Sequence, residues 1–269
     1  MSINRRQALT QIIGISTVAA GATLVGTSAF AATDEDGNFR LELGDTLKYV
    51  PLDAMATAKL AYETGGGCMH QVFHSIVTKL AESSSVDAEN FASIPTALAG
   101  YGWAGIVGQG TICGNLNAAG MLINILGDIN DQNSAVISAS FRYYEREDLP
   151  LSSDEFVAGI GSTAEKSELV GKTSLCHSSI SNWSGANGGK PFVEKGERCK
   201  RLSASMAYYI VDLLNRAYAG EVIGVLPEAM ASEETQACQT CHGTTETMGS
   251  AASVKGDLEC QTCHTGHFN

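Results

Sequence analysis

The pentapeptide Cys-Gln-Thr-Cys-His occurs twice near the C-terminus, as Cys238–His242 and again as Cys260–His264. Two thiols at this spacing followed at once by an imidazole form the attachment pattern of c-type haem. The sulfurs add to the two vinyl groups and the histidine is placed under the iron. The surrounding segment, 231–269, has Met248, Val254, Leu258 and Phe268 as its main large apolar residues, too few for a core. Such a segment must fold around something else, and a covalently held haem supplies the missing apolar centre. On this reading Cys238, Cys241, Cys260 and Cys263 are thioether anchors, and His242 and His264 are the proximal iron ligands.

A competing reading of the same residues is a zinc ribbon, since two Cys-x-x-Cys pairs eighteen residues apart also suit a tetrahedral site. Three features weigh against zinc. A histidine follows both pairs, few packing residues lie between the knuckles, and the chain opens with an export signal. Asn4-Arg5-Arg6-Gln7 precedes a weakly apolar run from Ile12 to Phe30 that ends in Ala29-Phe30-Ala31. A charged start, an apolar middle and an A-x-A exit describe a cleavable signal cut before Ala32. The adjacent arginines resemble a twin-arginine signal, with Leu9 where that pattern prefers an apolar residue; a Sec signal or a membrane anchor are the other readings. No later stretch approaches the roughly 18 apolar residues of a membrane span.

Charge narrows the partners. The 269 residues carry 17 Lys+Arg against 29 Asp+Glu. Losing residues 1–31 removes Arg5 and Arg6 and no acid, so the mature chain stands at −14. A chain of that sign is poorly suited to nucleic acid and better suited to a basic or cationic partner. Hydrophobic residues make up 44% and charged residues 17%, enough for a sizeable core. The expectation is a soluble, periplasmic protein.

The fold class expected is mainly α: a helical core domain over 32–230, followed by a loop-rich dihaem segment over 231–269. Phe39 to Leu43 alternates like a short strand. Pro51 opens a helical pattern to about Glu63, since proline suits the first helical turn, and Gly65-Gly66-Gly67 stops it. A second helix runs from Cys68 to Glu82 with Val72, Phe73, Ile76, Val77 and Leu80 as its apolar stripe. Residues 99–114 are glycine-dense and read as close-packed loops. Helices return at Leu116–Leu126 and Ser134–Glu145, and a polar region from Leu151 to Gly196 reads as turns around Cys176 and Trp183. Arg198 to Ala219 is the clearest helix, with Leu202, Met206, Tyr209, Ile210, Leu213, Leu214 and Ala217 on one face.

Candidate distal haem ligands are the remaining histidines, His70, His74, His177 and His267. His70 and His74 stand one helical turn apart, an arrangement that a closely spaced haem pair could use; two surface histidines are the other reading. His267 lies three residues past a proximal ligand, so it suits the neighbouring haem or another subunit's. His177 follows a cysteine and has a second reading as its orienting neighbour. Met69 and Met248 are weaker alternatives.

Cys68, Cys113, Cys176 and Cys199 follow no ferredoxin spacing. In an exported protein two disulfides are one reading. Their settings point to another. Cys68 and Cys113 sit at glycine-to-helix transitions and Cys199 sits in a first helical turn, where the helix dipole favours thiolates and metal ligation. The ordered set Gly65-Gly66-Gly67-Cys68, Cys113-Gly114-Asn115-Leu116-Asn117-Ala118-Ala119-Gly120, Cys176 and Cys199 resembles the bacterial C-GCAxxG-C-C redox proteins. With the two haem motifs added, residues from about 50 to 269 resemble the split-Soret cytochromes c of sulfate-reducing bacteria. In one respect the chain departs from that pattern: Gly114 follows Cys113 rather than preceding it.

The resemblance implies a homodimer with two stacked haems per subunit and one axial histidine donated across the dimer. It further implies a [2Fe–2S] cluster on Cys68, Cys113, Cys176 and Cys199. The export signal fits that order. A cluster-bearing core folds before a twin-arginine passage, and haem is attached afterwards to an accessible tail. The function expected is electron relay through haem and cluster to redox partner proteins, without catalytic residues. The alternatives are a haem-dependent small-molecule reductase with one open iron site, or a thiol redox sensor built on the four core cysteines. Cys241→Ser or Cys263→Ser should weaken covalent haem attachment at that site alone, read as haem mass retained by the denatured chain. Loss of zinc with haem content unchanged would establish the ribbon instead.

Overall fold

Two helices with continuous apolar faces organise the chain. The computed structural model describes residues 32–33, 39–163, 171–244 and 253–264; the export signal and His267 lie outside them. The elements, in chain order, are α1 (Ala54–Glu63), α2 (Cys68–Ala81), α3 (Ala88–Ser93), α4 (Gly114–Ile123), α5 (Asn133–Arg146), α6 (Asp154–Gly159), α7 (Cys176–Ala186), α8 (Gly196–Tyr218) and α9 (Glu233–His242). The fold is mainly α. Strands are two residues long: β1 (Ala32–Thr33) pairs antiparallel with β2 (Phe39–Arg40), and β3 (Leu47–Lys48) pairs parallel with β4 (Leu126–Gly127).

The periodicity of α2 and α8 decides the core. Val72, Phe73, Ile76, Val77 and Leu80 of α2 are all buried, as are Leu202, Met206, Ile210, Leu213, Leu214 and Ala217 of α8. Tyr209 is instead half-buried and stacks on Tyr143 with ring centroids 3.6 Å apart. Helix α8 packs along α1, where Thr57, Ala58 and Ala61 are buried and small enough for close approach. Helix α2 packs on α1, α3, α4, α8 and a 3-10 turn at Thr96–Gly102. Asn215 of α8 ties down the chain before α1. Its Oδ1 accepts from the Tyr49 hydroxyl at 2.8 Å and from the Leu52 N–H at 3.0 Å, and its Nδ2 donates to the Leu52 carbonyl at 2.9 Å.

Several sequence expectations shift. Helix α1 begins at Ala54 rather than Pro51 because Asp53 caps it, accepting from the Ala56 N–H at 2.9 Å. The alternation from Phe39 to Leu43 yields only two strand residues, and Leu43 is fully exposed. Leu126 leaves the expected helix for β4. The region read as turns contains α6 and α7, with Trp183 buried on α7. Within the C-terminal segment, α9 carries the whole first Cys-Gln-Thr-Cys-His motif. Its signal stands in the sequence: Ser232 caps the helix, accepting from the Thr235 N–H at 3.1 Å, and Glu233 and Glu234 occupy the first turn.

That segment has little apolar anchorage, with Thr235 buried and Val254 and Leu258 exposed. It is held by charge. Glu259, one residue before the second motif, accepts from Arg146 Nε at 3.1 Å, Arg146 Nη2 at 2.5 Å, the Ser232 hydroxyl at 2.5 Å and the Thr235 hydroxyl at 2.7 Å. Arg142, buried and paired with Glu145 at 3.3 Å, stands 3.8 Å away. Burial alone would raise the Glu259 carboxyl. The hydrogen bonds from Ser232, Thr235 and Arg146, with the arginine's charge, outweigh it and hold the pKa at about 2. A carboxyl depressed in this way stabilises the docked segment above its unfolded value of 4.5, and the contribution is lost as pH falls through about 2. Glu259→Gln should therefore weaken docking by about 1–3 kcal/mol, the range for losing hydrogen bonds to a charged group at a partly exposed site. Limited proteolysis at pH 7 should cut this variant's 231–259 region faster than the native chain. Equal cleavage rates would show that the segment is held some other way.

Candidate metal centres

Four helix beginnings meet at one cavity of about 540 Å³, and each brings a cysteine. Cys68 is the first residue of α2, Cys113 caps α4, Cys176 is the first residue of α7, and Cys199 lies in the first turn of α8. Local sequence sets each position. Gly66 and Gly67, at φ +86° and +90°, turn the chain into α2, a conformation side chains disfavour. The segment before α4 lies against the one before α7. The Cys113 N–H donates to the Ser174 carbonyl at 2.8 Å and the Cys176 N–H to the Thr111 carbonyl at 2.7 Å. The four cysteines that the sequence spreads over 132 positions thus line one wall system.

Gly114 has a packing reason of its own. A Cβ there would stand 2.5 Å from the Gly102 carbonyl oxygen, 2.7 Å from Cys68 Sγ and 2.8 Å from the Met69 nitrogen. Only glycine lets the start of α4 reach Cys68.

The donor set suits a negatively charged group. Asn115 Nδ2, Tyr144 Oη and Arg198 Nε are buried without a hydrogen-bond partner, and their residues line the cavity. Arg198 is fixed by its Nη2, which donates to the Ser179 hydroxyl at 2.5 Å. The Cys113 thiol, with the Met69, Ala104 and Gly114 N–H groups, offsets burial and draws Cys68 down to about 6. Cys113, hydrogen-bonded to Cys68 and buried, is pushed up, as is Cys199 by burial; Cys176 rises to about 11, chiefly by burial. One thiolate is stable here alone, and a metal's charge is what lets several ionise together. None of the eight cysteines is in a disulfide. Among the described residues no three His, Cys, Asp or Glu side chains gather closely enough for a single ion. The four cysteines instead share the wall of one cavity of about 540 Å³.

The two Cys-Gln-Thr-Cys-His motifs meet as well. The first lies on the last turns of α9, and the second forms a 3-10 turn at Cys260–Thr262 that packs against α9. Gln239, inside the first motif, donates to the Gly256 carbonyl at 2.9 Å. The Val254 N–H donates to the His242 carbonyl at 2.8 Å and the Cys260 N–H to the Thr235 hydroxyl at 3.1 Å. The turn that carries Cys260 thus packs on the helix that carries Cys238. All four of these thiols are exposed or half-exposed, the condition that thioether formation needs. Residues 253–264 bury no side chain, so the segment fits an added apolar group.

Of the distal candidates, His70 and His74 come together and His177 does not join them. The His70 and His74 rings stack at 5.0 Å with 21° between planes. His70 Nδ1 donates to the Gly65 carbonyl at 2.9 Å, which leaves Nε2 with its lone pair. His74 Nδ1 pairs with the Thr96 hydroxyl at 2.9 Å, and burial followed by the charge of His70 lowers its pKa. His177 is exposed at the start of α7, beside Gly110. Within the protomer α2 packs on core elements, whereas α9 packs on the second motif's turn. The histidine pair and the haem motifs therefore belong to different parts of one chain. Sequence reasoning missed Glu259, Tyr144 and Arg198, which have no motif and acquire roles only through packing.

Among the described residues no helix is long and apolar enough to cross a membrane. No protein-family model and no curated protein matches the chain. A solved structure does: the split-Soret cytochrome c from Desulfovibrio desulfuricans ATCC 27774, described as having a novel iron centre. The chains are 27% identical with a TM-score of 0.69, over 81% of this chain and 91% of that one. The mainly helical fold of this chain is thus related to that of a split-Soret cytochrome c.

Proposed function

We propose that the chain is a periplasmic electron-transfer protein of the split-Soret type, a homodimer holding two c haems and one [2Fe–2S] cluster per subunit. The observation that carries this reading is the packing of the second attachment motif's turn on the helix that carries the first, in a segment without a core of its own. The fold relationship to a cytochrome supports it. Bound haem and cluster supply one-electron exchange; the protein sets ligand, burial and distance.

The residues divide that work. Cys238, Cys241, Cys260 and Cys263 anchor the haems, and His242 and His264 are their proximal ligands. Gln239 and Glu259 hold the motifs together and fix them on α5. Cys68, Cys113, Cys176 and Cys199 hold the cluster, with Asn115, Tyr144 and Arg198 offering hydrogen bonds and charge to its sulfurs.

Dimerisation supplies the distal side. Leu98, Tyr101, Trp103, Ile106 and Val107, in the chain that follows Thr96, are exposed large apolar residues. Thr96 hydrogen-bonds His74, so this surface adjoins the stacked pair. An apolar patch beside two imidazoles suits the haem edges of a second subunit. Ligation on both faces of the irons favours relay over catalysis.

Two experiments test the reading. Cys113→Ser should lose cluster iron and acid-labile sulfide while keeping both haems; retention of iron and sulfide would remove the four cysteines from the assignment. His70→Ala and His74→Ala, compared by absorption spectrum and solution mass, should include at least one variant with high-spin haem and a weakened dimer. Low-spin spectra and intact dimers in both would move distal ligation to His177 and His267.

A further inference from the structure

A second cavity, of about 680 Å³, lies between α7 and the turn at Phe192–Lys195. That volume is within the range of about 300–1,000 Å³ typical of small-molecule sites. Its wall includes Cys176, His177, Ile180, Ser181, Lys190 and Phe192, and it shares Ala104 and Cys176 with the four-cysteine cavity.

Charge sets this place apart from the rest of an acidic chain. Elsewhere in the core, the described basic residues face carboxylates: Lys48 with Asp128, Lys79 with Glu82, Arg142 with Glu145, Lys172 with Asp148, Arg216 with Glu221. Lys190, Lys195, Arg198 and Lys200 have no such ion pair within 4.0 Å among the described residues. Lys190 lines the second cavity and the other three line the first; among the described residues neither cavity has a carboxylate in its wall. Lys195 Nζ sits 4.0 Å from the centre of the Phe192 ring, so its charge reaches the second cavity too. Unpaired cations around a concave wall concentrate positive potential there. The Ser184 hydroxyl donates to the Lys190 carbonyl at 2.7 Å and fixes that loop on α7. Ile180 and the half-exposed Phe192 ring add apolar surface, and Ser181 and His177 add hydrogen-bonding groups.

We infer that this cavity binds a small organic anion with a flat apolar body, its charge met by Lys190 and Lys195 and its body by Ile180 and Phe192. Cys176 in the wall places the occupant against the cysteine set. A redox-active anion is the ligand class that follows, a step that rests on the proposed cluster, whereas binding itself does not.

Isothermal titration of the isolated protein, with its haem and iron content recorded, tests this with anthraquinone-2-sulfonate, a flat redox-active anion. One saturable site is expected, weakening as salt rises. Lys190→Glu and Ser181→Asp, which place a carboxylate in the exposed wall, should each weaken binding about two- to fivefold at low salt, the scale of exposed charge pairs. Lys255→Glu, in the C-terminal segment, should bind like the native chain, and methyl viologen, a flat cation, should not compete. Absence of a saturable site, equal binding by the two wall variants, loss in Lys255→Glu, or competition by methyl viologen would each overturn the inference. Binding of an acidic protein without binding of the sulfonate would overturn it too and make the basic rim a protein-docking surface. A protein that binds the sulfonate but contains no cluster iron would leave the site in place and remove the proposed cluster instead.

Discussion

The approach of α4 to α2 at Gly114 is the contact on which the rest depends. With no side chain at that position, the start of α4 fits between the Gly102 carbonyl, Cys68 Sγ and the Met69 nitrogen. Cys68 and Cys113 are thereby brought to hydrogen-bonding distance. The paired backbones before α4 and α7 add Cys176, and the first turn of α8 adds Cys199. Four positive helix ends pointing at one space are electrostatically unfavourable unless negative charge fills it. Thiolates do so in part, and Asn115 Nδ2 and Arg198 Nε, buried without a partner, leave further donors in that wall.

Helix α5 links this centre to the haem motifs. Tyr144 lines the cysteine cavity, while Arg142 and Arg146 on the same helix face Glu259. The two places are thus connected by a rigid element of under two turns, which fixes their separation. The Arg142–Glu145 pair is almost fully buried, with side chains 3% and 1% exposed. A pair in that position contributes little net stability, but losing either partner leaves a buried charge. It is better suited to holding the segment in one place than to strengthening the fold.

The segment itself is docked by hydrogen bonds and charge because it has almost no apolar surface to offer. That suits a part that must stay accessible while cofactors are attached and settle afterwards. The apolar surfaces absent there are found elsewhere, at Leu98, Trp103 and Val107 near the stacked histidines. A two-fold association bringing these together would bury both.

Much of this was legible in the sequence. The stripes of α2 and α8 follow from 3.6-residue periodicity, because burial along a helix needs only the order of side chains. The two haem motifs are legible because their chemistry requires fixed spacing within five residues. The N-terminal placement of Cys68, Cys113 and Cys199 follows from glycine and helix signals close by. The tertiary structure decided what depends on residues distant in the chain. It made α7 a helix in a polar stretch by pairing the 111–113 backbone with 174–177, and so gave Cys176 a helix start. It gave Glu259 its role by placing Arg146, 113 positions earlier, within reach. It set Lys190, Lys195, Arg198 and Lys200 around two cavities without acidic partners among the described residues. Local order fixes which side of a helix is apolar, but electrostatic partnership falls off with distance in space, and only the folded chain sets those distances.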